Sequence, residues 1–443
     1  MMKRCLISLL LAFSLASLPV NPFGPLGVSI ATAQEADAER PRKPNARRSK
    51  VLGKGAFRLI EQAQEFIGME KYVEAMQPLQ EILDGTQFKA YEKAVAMQTL
   101  GYVHAGKGDY DATIESFERA IATGDLPPRV VSDLTYNLAQ LQLAQGRARK
   151  ALPLIEQWFD GQDKEPSGAP YALKAQIHIT LEELRPAEQA IRKALSKVDE
   201  PKQQWTRILL SVLLREERYG EARPILEDAV QIWPGVKTFW QQLTAIYYEE
   251  DEEELAFVAQ RTMHVQNMLT SSKELSSMAQ LYLYHNVPIK AAEILQSGFD
   301  GGNIEKTEDN YDLLARAYMM SREWDKSVAP LTRAAELSDK GKFYAQLAQA
   351  RIQNEDWPAA ETALVKALDK GGLKDEADNW LLLGIARTRQ EKYDSAIKAF
   401  RKAGDDDDIA KDAFRWIRTI ERRLKEKRRV EKEQQIAAKN RDG

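Results

Sequence analysis

A small side chain returns every 33 to 38 residues along this 443-residue chain, and it does so in two registers at once. The first register reads Ala63, Gly101, Ala139, Ala175, Leu210, Thr244, Ala279, Ala315, Ala348 and Gly384. The second lies twelve residues later each time: Ala75, Thr113, Ala151, Ala187, Ala222, Ala256, Ala291, Ser327, Ala360 and Ala396. A pair of helices whose backbones cross closely explains both, because only a small side chain fits at such a crossing. With the first small residue counted as position 8 of a unit, the second is position 20. Leu210 and Thr244 break the rule, so looser packing is expected in units five and six.

The fullest unit has Trp380 at position 4, then Leu383, Gly384, Tyr393, Ala396, Phe400 and Ala403 at positions 7, 8, 17, 20, 24 and 27. A second copy keeps Leu100, Gly101, Tyr110, Phe117 and Ala120; a third keeps Tyr219, Ala222, Leu226, Ala229 and Pro234. This spacing resembles the tetratricopeptide repeat. The resemblance implies an all-α fold: a right-handed superhelical solenoid of about ten helix pairs with a C-terminal capping helix. Periodicity agrees, since apolar residues recur at helical spacing, Gly and Pro punctuate the units, and no segment alternates like a strand. Each pair must stack on a neighbour to bury its apolar face. Pro78, Pro153, Pro224 and Pro330 are placed early in second helices, where a proline costs least or merely bends the helix.

The first 33 residues read differently. Lys3 and Arg4 precede an apolar run from Leu6 to Val20, and Ala31-Thr32-Ala33 supplies a small-x-small cleavage pattern. This is the layout of a secretory signal peptide cut after Ala33, with an uncleaved membrane anchor as the alternative. Cys5 is the only cysteine and precedes the apolar run, so no lipid-modified cysteine follows it. The chain after Ala33 holds no thiol, hence no disulfide and no cysteine ligand or nucleophile. The expected organisation is a signal peptide over 1–33, a basic flexible linker over 34–55, the solenoid over 56–404, and an acidic cap, capping helix and basic polar tail over 405–443. The expected location is the periplasm of a Gram-negative bacterium.

Net charge is −3, but it is unevenly spread. Residues 34–58 carry eight basic and three acidic side chains, and residues 411–443 carry twelve and six, which leaves the repeat region near −16. Basic ends on an acidic array suit anionic headgroups, a polyanion or an acidic partner, or else solvation alone. Membrane contact is therefore expected only through these termini or an uncleaved signal. Nucleic acid is not expected as a partner. Asp405 to Asp408 acidify the start of a last helix that runs through Phe414, Trp416, Ile417 and Ile420. Its remainder, Arg422 to Gln435, is almost wholly polar and is expected to project or fray.

Catalytic patterns fail on inspection. Gly101 to Lys107 imitates a phosphate-binding loop, but Gly108 replaces the required Ser or Thr and Gly101 is a helix-crossing position. Ser395 and Lys398 have an acyl-enzyme spacing without partner motifs. His104, His178, His264 and His285 show no metal-ligand spacing, and the first two fall at core position 11. Glu249 to Glu254 lies in a turn and lacks the alternation and glycine of a calcium loop. No enzyme, metal or cofactor is expected.

The resemblance implies binding through first helices, chiefly at positions 2, 5, 9, 12 and 13 of a concave groove. The candidate groove residues are Leu214, Tyr248, Leu283, Tyr284, Met319, Met320 and Ile352, with Gln280, Asp312 and Arg316 as polar edges. Aromatic and Met side chains suit adaptable peptide contacts; packing against the next unit is the plainer reading of position 12. The carboxylate clamp of chaperone-binding members is not matched, since Arg207, Arg215 and Lys273 are scattered without an Asn. The expected function is a periplasmic scaffold holding a protein or peptide segment. The chain's layout is also similar to repeat proteins that accompany TonB–ExbB–ExbD energy transduction, which implies a part in outer-membrane uptake. Export or assembly of a cell-surface polysaccharide is the other alternative.

Overall fold

The computed structural model describes residues 51–439, and among them every regular element is a helix. The signal peptide and most of the basic linker expected from the sequence lie outside the described residues. The chain divides into two compact units, one ending at Ile246 and one beginning at Tyr247. The first holds five helix pairs: α1 (Lys54–Gly68) with α2 (Tyr72–Asp84), α3 (Ala90–Gly106) with α4 (Tyr110–Ala122), α5 (Pro128–Ala144) with α6 (Ala148–Asp160), α7 (Gly168–Thr180) with α8 (Leu184–Leu195), and α9 (Gln203–Arg215) with α10 (Tyr219–Ile232). The division falls within α11 (Lys237–Glu249), which is followed by α12 (Glu253–Val265). The second unit continues with α13 (Ser272–Tyr284) and α14 (Pro288–Asp300), α15 (Glu308–Met320) and α16 (Trp324–Leu337), α17 (Lys342–Gln353) and α18 (Trp357–Lys370), and α19 (Glu376–Arg389) and α20 (Tyr393–Ala403). A terminal helix, α21 (Asp407–Lys439), closes it. The all-α solenoid class is thus observed, with ten pairs and a terminal helix among the described residues.

Both small-residue registers are buried in all ten pairs, Leu210 and Thr244 included. Position 24 varies in size against position 8. The six alanines at position 8 are accompanied by Leu or Ile: Leu79, Ile155, Ile191, Leu295, Leu331 and Leu364, all buried. The two glycines, Gly101 and Gly384, are accompanied by Phe117 and Phe400. A Cβ added to either glycine would run into that phenylalanine ring. The crossing therefore conserves volume, as close packing requires.

Each pair also turns in the same way. Position 15 has φ between 56° and 77° in all ten, at Glu70, Gly108, Gly146, Glu182, Glu217, Asp251, Asn286, Arg322, Glu355 and Glu391. The next amide then donates to the carbonyl of position 11, from Lys71 to Phe66 through Lys392 to Arg387, at 2.7–2.9 Å. This left-handed closure satisfies carbonyls that the end of a helix would otherwise leave open. Pro78, Pro153, Pro224 and Pro330 lie at the sixth or seventh residue of their helices, and the helices run through them.

The cores form between successive pairs. In the first unit, Leu79 and Ile82 of α2 join Ala96 and Val103 of α3, with Ala56, Leu59 and Ile60 of α1. In the second, Leu295 and Phe299 of α14 join Leu313, Leu314 and Ala317 of α15. Each fully buried Leu, Ile or Phe stabilises by about 1.5–3 kcal/mol, so the stacking of neighbours dominates over helix propensity. Recurrent ion pairs tie the same neighbours: Glu188 of α8 accepts from Arg218, the residue before α10, at 2.7 and 3.0 Å. Glu361 of α18 accepts from Lys392 at 2.7 Å and from Arg387 at 2.8 Å. Glu188 and Glu361 share position 21, and Arg218 and Lys392 share position 16. At the end, Ala413, Ile417 and Ile420 of α21 are buried with Phe400, and Trp416 stacks on Phe400 at 5.8 Å and 3°. Asp406 caps this helix by accepting from the amides of Asp408 and Ile409. The polar stretch beyond Ile420 stays helical to Lys439.

Candidate partner-binding face

The first helices of the second unit carry most of the expected groove residues, and their register decides which reach solvent. At position 13, the last residue of α13 and of α15, Tyr284 is 72% exposed and Met320 is 50% exposed. At position 12 the side chains are half-buried: Leu283 packs on the core between α13 and α15, Met319 on the Ala315–Leu331 core, and Ile352 on the core around Ala348 and Leu364. A single residue step, about 100° around the helix, separates the half-buried side chain from the exposed one. Leu214, in the first unit, is only 9% exposed and offers little surface. Tyr248 is half-buried, and its hydroxyl accepts from Gln260 Nε2 at 2.9 Å. Burial pushes that phenol's pKa up.

Polar groups border the exposed pair. The Tyr284 hydroxyl donates to Glu253 at 3.3 Å, and its ring stands edge-on to His285, which in turn stacks on Phe257 at 3.9 Å. Gln280 and Arg316 are exposed. Arg316 Nε lies 3.5 Å from Asp312 Oδ2, while Asp312 Oδ1 is buried without a hydrogen-bond partner. Burial raises the Asp312 carboxyl, against the opposing pull of Arg316 and Lys342. Gln346 of α17 likewise has a buried Oε1 with no partner. Sequence reasoning named Asp312 but missed Gln346, whose only signal is an amide between Ala345 and Leu347. Both oxygens are enclosed, so they belong to the packing of α15 and α17 and not to the exposed face.

The remaining motifs have structural places. Gly101 to Gly106 lie inside α3, and Ser395 and Lys398 lie on α20. His178 is buried, with Nδ1 2.6 Å from Glu183; His104 is half-buried, and burial lowers its pKa. His264 is lowered in the same way. Among the described residues, no group of three or more His, Cys, Asp or Glu side chains is placed to hold a metal ion.

The family model of the tetratricopeptide repeat matches residues 99–166 and 345–408. These segments contain Gly101 with Phe117 and Gly384 with Phe400. Those two segments match tetratricopeptide repeats. No curated protein matches it. Similar solved structures include a tetratricopeptide repeat protein from Parabacteroides merdae, at 15% identity and a TM-score of 0.34, covering 67% of this chain and 99% of that one. MamA from Desulfovibrio magneticus RS-1 is 16% identical with a TM-score of 0.36, covering 42% and 99%. The APC/C hetero-tetramer Cut9–Hcn1 is 12% identical with a TM-score of 0.28, covering 82% and 83%. Helix pairs seven and eight present a surface of exposed aromatic, thioether and polar groups, of the kind that binds polypeptides.

Proposed function

We propose that the chain is a non-enzymatic scaffold that holds a protein or peptide segment on the first helices of its second unit. The observation that supports this is the exposure of Tyr284 and Met320 at one register of successive pairs, with exposed Gln280 and Arg316 one turn before them. A ring and a thioether supply adaptable apolar contact, and the polar groups fix the direction of a bound strand or helix. The proposed place of action is the periplasm, after export by residues 1–33. An envelope complex such as TonB–ExbB–ExbD is the partner implied by the chain's layout.

A photo-crosslinking residue at Tyr284 or Met320, expressed in the native host and followed by mass spectrometry, tests the reading. One recurrent partner peptide is the expected outcome. Crosslinks found equally from a probe at exposed Ile289, on α14, would refute a dedicated face. Cell fractionation with N-terminal sequencing tests export separately, with Gln34 as the expected first residue.

A further inference from the structure

The terminal helix α21 is far longer than its covering role requires. Its buried seam is Ala413, Ile417 and Ile420, with Leu424 partly covered, and beyond Leu424 every side chain described, to Gln435, is exposed. Turned roughly 140° from that seam, at 100° per residue, runs a second line with alternating steps of four and three. It passes from Lys411 through Arg415, Arg418, Arg422, Lys425 and Arg429 to Lys432, and all seven are exposed. The line is about 32 Å long at 1.5 Å per residue, with a cation about every 5 Å. Arg415 touches Asp412 at 3.1 Å and Arg429 touches Glu426 at 2.6 Å, but both are exposed pairs that hold their partners weakly.

Phe414 decides what such a line fits. It is 47% exposed and lies on the cationic side, three residues after Lys411 and four before Arg418. An exposed ring among cations gains little from a soluble polyanion. At a bilayer the ring enters the interfacial layer while the ammonium and guanidinium groups meet the headgroups. The acidic repeat region is repelled by the same surface, but charges more than about 10 Å away are screened at ordinary salt. A helix that outruns its own core supplies such a separation.

We infer that the outer face of α21 is a peripheral docking surface for an anionic lipid bilayer. The probe is co-sedimentation of the chain from Gln34 onward, which keeps all twenty-one helices, with phosphatidylcholine vesicles and with vesicles carrying phosphatidylglycerol. Binding is expected only to the anionic vesicles. R418E/R422E/K425E should weaken it about tenfold or more, and R423E/K427E/R428E, which changes charge equally off the line, less than about threefold. F414A should weaken it about threefold or more. The neutral triple R418Q/R422Q/K425Q repeats the test where circular dichroism shows the reversed triple to have lost helix. Equal binding to neutral vesicles, or equal losses in the two triples, overturns the proposal. So does full affinity in F414A with displacement by soluble polyglutamate, which assigns the line to an acidic polymer instead.

Discussion

A Cβ built on Gly384 stands 2.5 Å from Cε1 of Phe400, so the glycine exists to admit the ring. Gly384→Ala should destabilise by about 1–3 kcal/mol through overpacking, despite the better helix propensity of alanine. Gly384→Ala combined with Phe400→Leu recreates the Ala–Leu combination of pairs one, seven, eight and nine. It should recover part of the loss, as read by urea melts of the two variants and their combination. Simple additivity would show that the two positions do not share one volume.

The left-handed residue of each hairpin offers an independent check. Arg322 has φ 60°, where a non-glycine residue is strained. Arg322→Gly should raise stability by about 0.5–1 kcal/mol, and Gly146→Ala should lower it by about 1 kcal/mol. Thermal denaturation of both variants reads the two opposite signs.

Glu188 makes stability depend on acid. Hydrogen bonds from Arg218 and Arg192, opposed by burial, hold its carboxyl below the usual 4.5. A carboxylate lowered in the folded state contributes fully above its unfolded value, and the contribution is lost as pH falls through the folded value. Glu188→Gln should therefore cost about 1–2 kcal/mol at pH 7. The difference from the parent should shrink as melts are taken from pH 5 down to pH 3.

Tyr284→Glu with Met320→Glu should leave the melting temperature nearly unchanged, since both side chains are exposed. Capture of the crosslinked partner should fall about tenfold or more, measured by pull-down against the parent chain. Undiminished capture would remove this face from the proposal.

Side-chain volume was enough to make the helix crossings legible, because Ala63 through Ala396 need only be small. The hairpin closures were not, since eight of the ten left-handed positions are filled by Glu, Asp, Asn or Arg, and only Gly108 and Gly146 advertise the conformation. Register placed Leu283, Met319 and Ile352 on the first helices, but it could not say how far each turns toward its neighbour. That depends on the tilt between pairs, which no single unit encodes. The position-16 to position-21 ion pairs were likewise hidden, because Glu188 and Arg218 are thirty residues apart and meet only when two pairs stack.

The ten hairpins are each closed by hydrogen bonds between residues five apart in sequence, so no closure waits for a distant segment to arrive. A chain drawn out by its ends would then lengthen in short increments of one or two units, leaving the untouched pairs folded. Such a molecule can yield to tension without being dismantled, which suits a tether as well as a clamp.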